Sequence, residues 1–257
     1  MIKAIFFDID GTLYSHTQNK VPDSTRACLA ELRKKGIKTV IATGRHKIDL
    51  GTMPVKDIPF DGYLTLNGQL LLNEGMSAYA GTPINEEEMK IVAKIFEAKR
   101  IPFMLVGENN RYINFIDETT KETLEANHID TPSVGEYHGE KIYQAMAFIP
   151  EHQKQLLDSI LDECAITSWY PTGIDVIPFG GGKSKGIKQF VEANGLKIEE
   201  TMAFGDGDND ADMLEYVGIG VAMGNGTQKA KAAADYITDS IDDNGIENAL
   251  RHFHIID

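Results

Sequence analysis

Cysteine is nearly missing from the 257-residue chain: only Cys28 and Cys164 occur. Both read as residues of apolar helical segments, as suits buried free thiols, and they are too few for a disulfide framework or a thiolate metal site. Positive charge is short as well, with 25 lysines and arginines against 39 aspartates and glutamates and a formal net charge of −14. Such a chain has no general basic face with which to displace counterions from nucleic acid, so no nucleic-acid partner is expected. An anionic ligand would need a local cation, either a side chain or a metal ion. No apolar run approaches the roughly 20 residues of a membrane-spanning helix. The opening MIKAIFFDID is too short an apolar run for a secretion signal and ends in acids. The expectation is a protein of the reducing cytoplasm, without a membrane partner. Repeats and low-complexity segments are absent too.

What is present is an alternation of short apolar runs with amphipathic stretches. Residues 3–7, 37–42 and 62–66 read as buried strands, and 23–35 as a helix opened by Asp23 or Ser24 and ended at Gly36. Towards the C-terminus, helices are expected over 183–193, 210–217 and 228–234, with strands over 201–204, 219–222 and 236–238. This rhythm predicts an α/β fold, a doubly wound parallel sheet with helices on both faces. The middle differs, because its strands come in pairs. Residues 102–106 and 112–115 flank GENNR, and 166–170 and 174–177 flank PTG, both hairpin-like turns. A strand over 142–149 precedes a helix from Glu151. Residues 85–99 read as a helix with Asn85 and Glu88 as a capping pair and Met89, Val92, Ala93 and Phe96 as its core stripe. The division expected is a core of residues 1–81 and 181–257, interrupted by an inserted α+β domain of residues 82–180.

The chemistry concentrates at strand ends. In FFDIDGT, Asp8 and Asp10 lie two apart on an extended chain, so their side chains point to one side, and Gly11 permits a sharp turn. Parallel sheets bind ligands beyond the carboxyl ends of their strands. Taken alone, an Asp-Gly turn explains the pattern equally well. A second cluster, GDGDND at 205–210, also follows an apolar strand. Acids there complement a helix N-terminus, and Asp208 or Asn209 can cap. Two acidic clusters, both at strand ends, would nevertheless repel unless a cation lies between them, and hard oxygen ligands suit Mg²⁺.

Other motifs fail. A calcium loop counted from Asp206 would place Ala211 and Val217 where glycine and glutamate are required. Gly182-Lys183-Ser184 lacks the first glycine of a phosphate loop, which would fall at Ile177. GIGVAMG lacks the dinucleotide-binding spacing. Two further elements suit phosphate. Thr43-Gly44-Arg45 ends a strand, where a hydroxyl and a backbone N–H can face a phosphoryl oxygen, although a plain turn reads the same way. Lys183 follows three glycines at a helix start and can act as a point charge, or as an ordinary surface lysine.

Taken in order, D-x-D-G-T, T-G-R, a lysine and G-D-x-x-N-D resemble the haloacid dehalogenase superfamily. The resemblance covers about the first eighty and last seventy-five residues. The insertion falls where Cof-type phosphatases carry their large α/β cap, and Asn67-Gly68 is also similar to that subfamily. The resemblance implies a phosphatase. Asp8 would be the nucleophile that forms an aspartyl phosphate, and Asp10 the general acid and base. Thr43 and the Gly44 amide would hold phosphoryl oxygens, Lys183 would offset charge, and Asn209 would contact phosphate. Asp8, the main-chain carbonyl of Asp10, and Asp206 would hold Mg²⁺, with Asp210 supporting the ion directly or one layer out. Lys183 is preferred over Lys185, because helix residues two apart do not share a face.

In that family the cap closes over the site and selects the leaving group. Arg111, Tyr112, Trp169, Tyr170 and Asp175 are the candidate selectors, and packing explains each of them equally well. The expected partner is a small phosphorylated metabolite: a sugar, nucleotide or cofactor phosphate. A phosphomutase and a non-catalytic phosphometabolite-binding regulator are the rival readings. A receiver domain, which also uses Asp, Thr, Lys and Mg²⁺, is about half this length and has no cap.

Overall fold

The computed structural model of the protein describes residues 1–127 and 129–257. Two compact units divide it: Met1–Gly81 with Gly182–Asp257, and Thr82–Gly181. The first unit opens with β1 (Ala4–Phe7), β2 (Lys38–Ala42), β3 (Gly62–Thr65), β4 (Leu70–Asn73) and β5 (Ala78–Gly81). The second carries β6 (Phe103–Val106), β7 (Arg111–Ile113), β8 (Ser133–Val134), β9 (Gln144–Ala147), β10 (Cys164–Tyr170) and β11 (Gly173–Pro178). The chain then returns to the first unit with β12 (Thr201–Gly205), β13 (Ile219–Ala222) and β14 (Tyr236–Ile237).

Among its described residues the first unit forms one eight-stranded sheet in the order β14-β13-β12-β1-β2-β3-β4-β5. From β14 to β3 every pairing is parallel. Alternation along the strands explains the two layers of helix. Ile5, Phe7, Ile41 and Phe204 face helices Asp23–Lys34 and Gly245–His252, which contribute Leu29, Leu32, Ile246 and Leu250. Phe6, Val40 and Ala203 face helices Lys183–Ala193 and Ala211–Tyr216, which contribute Ile187, Phe190 and Leu214. The rings of Phe7 and Phe204 stack at 5.3 Å, and Phe6 meets Phe190 edge-on at 5.5 Å. Truncating any one of these buried rings to alanine would cost about 3–5 kcal/mol.

The antiparallel β4 and β5, which extend this sheet, were not expected from the sequence. Helix Gly245–His252 was also unread, although its buried Ile246, Ala249 and Leu250 follow helical spacing.

Among its described residues the second unit forms a six-stranded sheet in the order β10-β11-β9-β6-β7-β8. Both expected hairpins are present, β6–β7 and β10–β11. Helix Glu86–Ala98 packs Met89, Val92 and Phe96 onto Leu105, Ala145, Ile174 and Val176. Asn85 caps that helix by accepting from the Glu88 amide at 2.9 Å, but Glu88 does not reciprocate; its carboxylate accepts from the Glu163 amide at 3.1 Å. One expectation is corrected here. Cys164 begins β10 rather than lying in a helix, because its run CAITSWY continues into the β10–β11 ladder. Both cysteines are buried and free. Helix Glu118–Ala126 and strand β8 were not anticipated.

Candidate active site

The register of the first sheet places the chemistry. Phe7 lies opposite both Ile41 and Phe204, so the residues that follow leave the sheet along one edge. Asp8 extends the ladder by one rung, its amide donating to the Phe204 carbonyl at 3.0 Å. Thr43 does the same on β2, donating to the Leu64 carbonyl at 2.8 Å.

Lys183 opens the helix Lys183–Ala193 and is wholly buried. Its Nζ donates to Asp8 Oδ1 at 2.6 Å and to Asp210 Oδ1 at 2.5 Å. The start of that helix is held by Asp212, whose Oδ2 accepts from the Ser184 amide at 2.9 Å and the Ser184 hydroxyl at 2.7 Å. Lys185, two residues on, is only half-buried and stays outside this bridge. The other oxygen of Asp210 accepts from the amides of Asp206 and Gly207, each at 2.8 Å. Asp210 therefore braces Lys183 on one side and the 206–207 loop on the other.

Asp206 accepts from the Thr12 hydroxyl at 2.7 Å. Gly11 makes room for it. Its φ is +82°, and a Cβ there would lie 2.2 Å from Asp206 Oδ2, so no side chain is tolerated. Asp10 is held by two basic side chains. Its carboxylate takes a two-point contact from Arg45, Nε at 2.6 Å and Nη2 at 2.8 Å, and lies 3.2 Å from His16 Nε2. Gly44 packs on Asn67, with 3.1 Å between its virtual Cβ and Asn67 Oδ1, and Asn209 donates to that same oxygen at 3.1 Å.

Electrostatics follow from this packing. Burial lifts Asp8 well above the ordinary carboxylate value; Lys183 opposes the rise, and Asp210, Asp206 and Asp10 add to it. Burial likewise pushes Asp206 up to about 6, against the Thr12 hydrogen bond. Burial works against the charge on Lys183, yet Asp210 and Asp8 outweigh it and raise that group. Asp8, Asp206 and Asp210 each offer an oxygen, all within 4.8 Å of one another. Three carboxylates against one ammonium leave surplus negative charge in a largely buried place. Hard oxygen donors with that surplus fit a hard divalent cation.

A profile of haloacid dehalogenase-like hydrolases matches residues 5–250. The chain belongs to that family. A protein of Bacillus subtilis (strain 168) named "Putative phosphatase YkrA" is 32% identical over 257 residues, which is 99% of this chain and 98% of its own. From the same organism, the 5-amino-6-(5-phospho-D-ribitylamino)uracil phosphatase YcsE is 29% identical over 98% of this chain and 96% of its own. Among solved structures, that of BT1666, a phosphatase from Bacteroides thetaiotaomicron, matches with a TM-score of 0.91 at 31% identity, covering 100% of this chain and 96% of that one. The subclass IIB sugar phosphatase BT4131 matches with a TM-score of 0.85 at 37% identity, covering 99% and 100%.

In this haloacid dehalogenase-like hydrolase, Asp8, Lys183, Asp206 and Asp210 meet in one cluster, and Thr43, Gly44 and Asn209 stand at the same sheet edge, joined through Asn67. Sequence reading assigned no task to Thr12, Arg45 or Asn67. Thr12 sits in the quoted D-G-T and Arg45 in T-G-R, so the motifs contained them without showing what they touch. Asn67 carried a backbone signal, since Asn-Gly at a strand end suits its φ of 53°.

Of the candidate selectors, Tyr112 is core. It meets Phe96 edge-on at 5.6 Å and its hydroxyl donates to Glu140. Arg111 and Tyr170 are half-buried. Trp169 and Asp175 lie on neighbouring strands of the β10–β11 hairpin.

Proposed function

We propose that the protein is a Mg²⁺-dependent phosphatase of small phosphorylated metabolites that works through an aspartyl phosphate on Asp8. The observation that carries the reading is the buried Lys183 bridge between Asp8 and Asp210. It fixes one oxygen of Asp8 and leaves the other, Oδ2, to attack phosphorus. The P–O bond to the alcohol breaks as the Asp8–phosphorus bond forms, and Asp10 gives its proton to the leaving oxygen. Asp10 then takes a proton from water, the water oxygen attacks phosphorus, and Asp8 is released with inorganic phosphate. Arg45 sets the direction of the Asp10 carboxylate. Thr43, the Gly44 amide, Lys183 and Asn209 hold the phosphoryl oxygens where charge accumulates.

Asp8, Asp206 and the main-chain carbonyl of Asp10 would hold the ion. Asp210 backs them through Lys183 and the 206–207 loop. Bound there, Mg²⁺ supplies positive charge to the phosphoryl oxygens. Relatives named as phosphatases of a phosphorylated ribityl compound and of sugar phosphates support substrates of that size. Hydrolysis of p-nitrophenyl phosphate with Mg²⁺ and with chelator, beside Asp8→Asn, tests the reading. Release that needs Mg²⁺ and vanishes in Asp8→Asn is expected. Equal release by the variant, or silence across a panel of sugar, nucleotide and cofactor phosphates, would overturn it.

A further inference from the structure

Lys183 has no regular element directly behind it. The chain passes from the second unit back to the first between Gly181 and Gly182, and three glycines precede the lysine. Gly182 stands at the N-cap of helix Lys183–Ala193 with a φ of +133°, a conformation that only glycine adopts freely. It has no side chain with which to cap that helix. The first amides of a helix have no partner within it, so an acceptor must come from elsewhere.

Asp212, the second residue of helix Ala211–Tyr216, supplies it. Its Oδ2 takes both the amide and the hydroxyl of Ser184. Only glycine at 182 lets the carboxylate come so close, because a Cβ there would lie 2.3 Å from the same oxygen. The helix start also meets the turn after β3. A Cβ on Gly68 would stand 2.5 Å from the Gly182 carbonyl oxygen, and one on Gly186 would stand 2.8 Å from Gly68 Cα. That turn is tied to the Thr43-Gly44-Arg45 loop: the Asn67 amide donates to the Thr43 carbonyl at 2.9 Å and the Leu66 amide to the Arg45 carbonyl at 3.2 Å. Asp210 and Asp212 divide the hold on the helix start. The first takes the ammonium of Lys183, and the second takes the backbone of the next residue.

We propose that Asp212 is a positioning residue for Lys183, fixing the start of helix Lys183–Ala193 so that one ammonium reaches Asp8 and Asp210 together. The G-D-x-x-N-D motif ends at Asp210, so Asp212 lies outside the residues that the family resemblance assigns. Asp212 acts through Ser184 and the backbone rather than on the reacting atoms, and its catalytic consequence rests on the phosphatase reading. Lys183 makes its two contacts at 2.6 and 2.5 Å, so a small shift of the helix start breaks at least one of them. A misplacement of about 1 Å can cost about 100-fold in rate. Asparagine keeps an acceptor oxygen for Ser184, whereas alanine leaves the amide and the hydroxyl without one. The requirement is therefore for the acceptor and not for one more negative charge.

Brief acetylation of the full-length protein by an N-hydroxysuccinimide ester, mapped by peptide mass spectrometry, reads the placement of Lys183 without turnover. Lys231, whose Nζ donates to the Gly224 carbonyl at 2.7 Å, is the internal reference for general loosening. In Asp212→Ala, acetylation of Lys183 should rise at least tenfold with Lys231 within twofold, and kcat for p-nitrophenyl phosphate with Mg²⁺ should fall at least tenfold. Asp212→Asn should keep both readouts within threefold of wild type. Ser184→Ala, which retains the amide bond, should fall between the two and serves if Asp212→Ala fails to fold. Unchanged labelling of Lys183 or unchanged kcat in Asp212→Ala, equal rises at Lys183 and Lys231, or the same losses in Asp212→Asn would overturn the proposal. A wild type silent on every phosphate ester would sink the phosphatase reading and leave the labelling result standing, so the two failures are distinguishable.

Discussion

Replacing Lys183 by methionine keeps most of the side-chain volume and removes the ammonium between Asp8 and Asp210. The three groups are nearly sealed from water, with side-chain exposures of 0% for Lys183 and Asp210 and 10% for Asp8. Removing one partner of a buried ion pair costs about 3–5 kcal/mol. The cost of holding an extra proton is of the same size. The variant can relieve its uncompensated charge by keeping one more proton than the wild type. For a carboxyl whose ordinary value is 3.8, that costs about 4 kcal/mol at pH 7 and about 2 kcal/mol at pH 5. The penalty should therefore shrink as pH falls, because the unfolded chain also begins to hold the proton. Urea denaturation of both proteins in chelator at pH 7 and pH 5 measures this. Adding Asp210→Asn to Lys183→Met should restore part of the stability and none of the activity. A loss below about 1 kcal/mol that does not vary with pH would refute the reasoning, since it would mean the bridge is as weakly coupled as a surface pair.

Other outcomes follow from the same geometry. Mg²⁺ at a hundredfold excess over its Kd should stabilise the protein by about 2.7 kcal/mol, seen as a rise in Tm that Asp206→Asn abolishes. Gly11→Ala forces a methyl group onto Asp206 at a backbone φ of +82°, so it should cost about 1–3 kcal/mol in denaturation and lower activity as well. Burial pushes the Asp175 carboxyl from its ordinary 3.8 up to about 7, so its contribution to stability is present below 3.8 and is lost as pH rises through 7. Asp175→Asn should flatten that decline, which amounts to at most about 4 kcal/mol, in melts recorded from pH 4 to pH 8.

The strands were legible where chemistry and periodicity agreed. AIFF and TMAF each end in acids, and their in-register pairing places Asp8 and Asp206 at one edge. Lys183 could be named, but its partners could not. Its contacts reach across 175 residues to Asp8 and 27 to Asp210, and nothing local in GGGKSKG specifies either one. Likewise, T-G-R displays an arginine without showing that it grips Asp10. Cys164 was misread because a short apolar run has no periodicity to separate strand from helix. The β4–β5 extension was missed because LLLN and AYAG show no polar alternation.

The central claim is that Asp8 carries the phosphoryl group. Acid-quenched protein taken during turnover of a phosphate ester with Mg²⁺, then mapped by peptide mass spectrometry, tests it most directly. A phosphoryl group on the peptide containing Asp8, enriched in Asp10→Asn and absent from Asp8→Asn, is the predicted result. Steady turnover with no phosphoryl group on that peptide, together with wild-type rates in Asp8→Asn, would contradict the account.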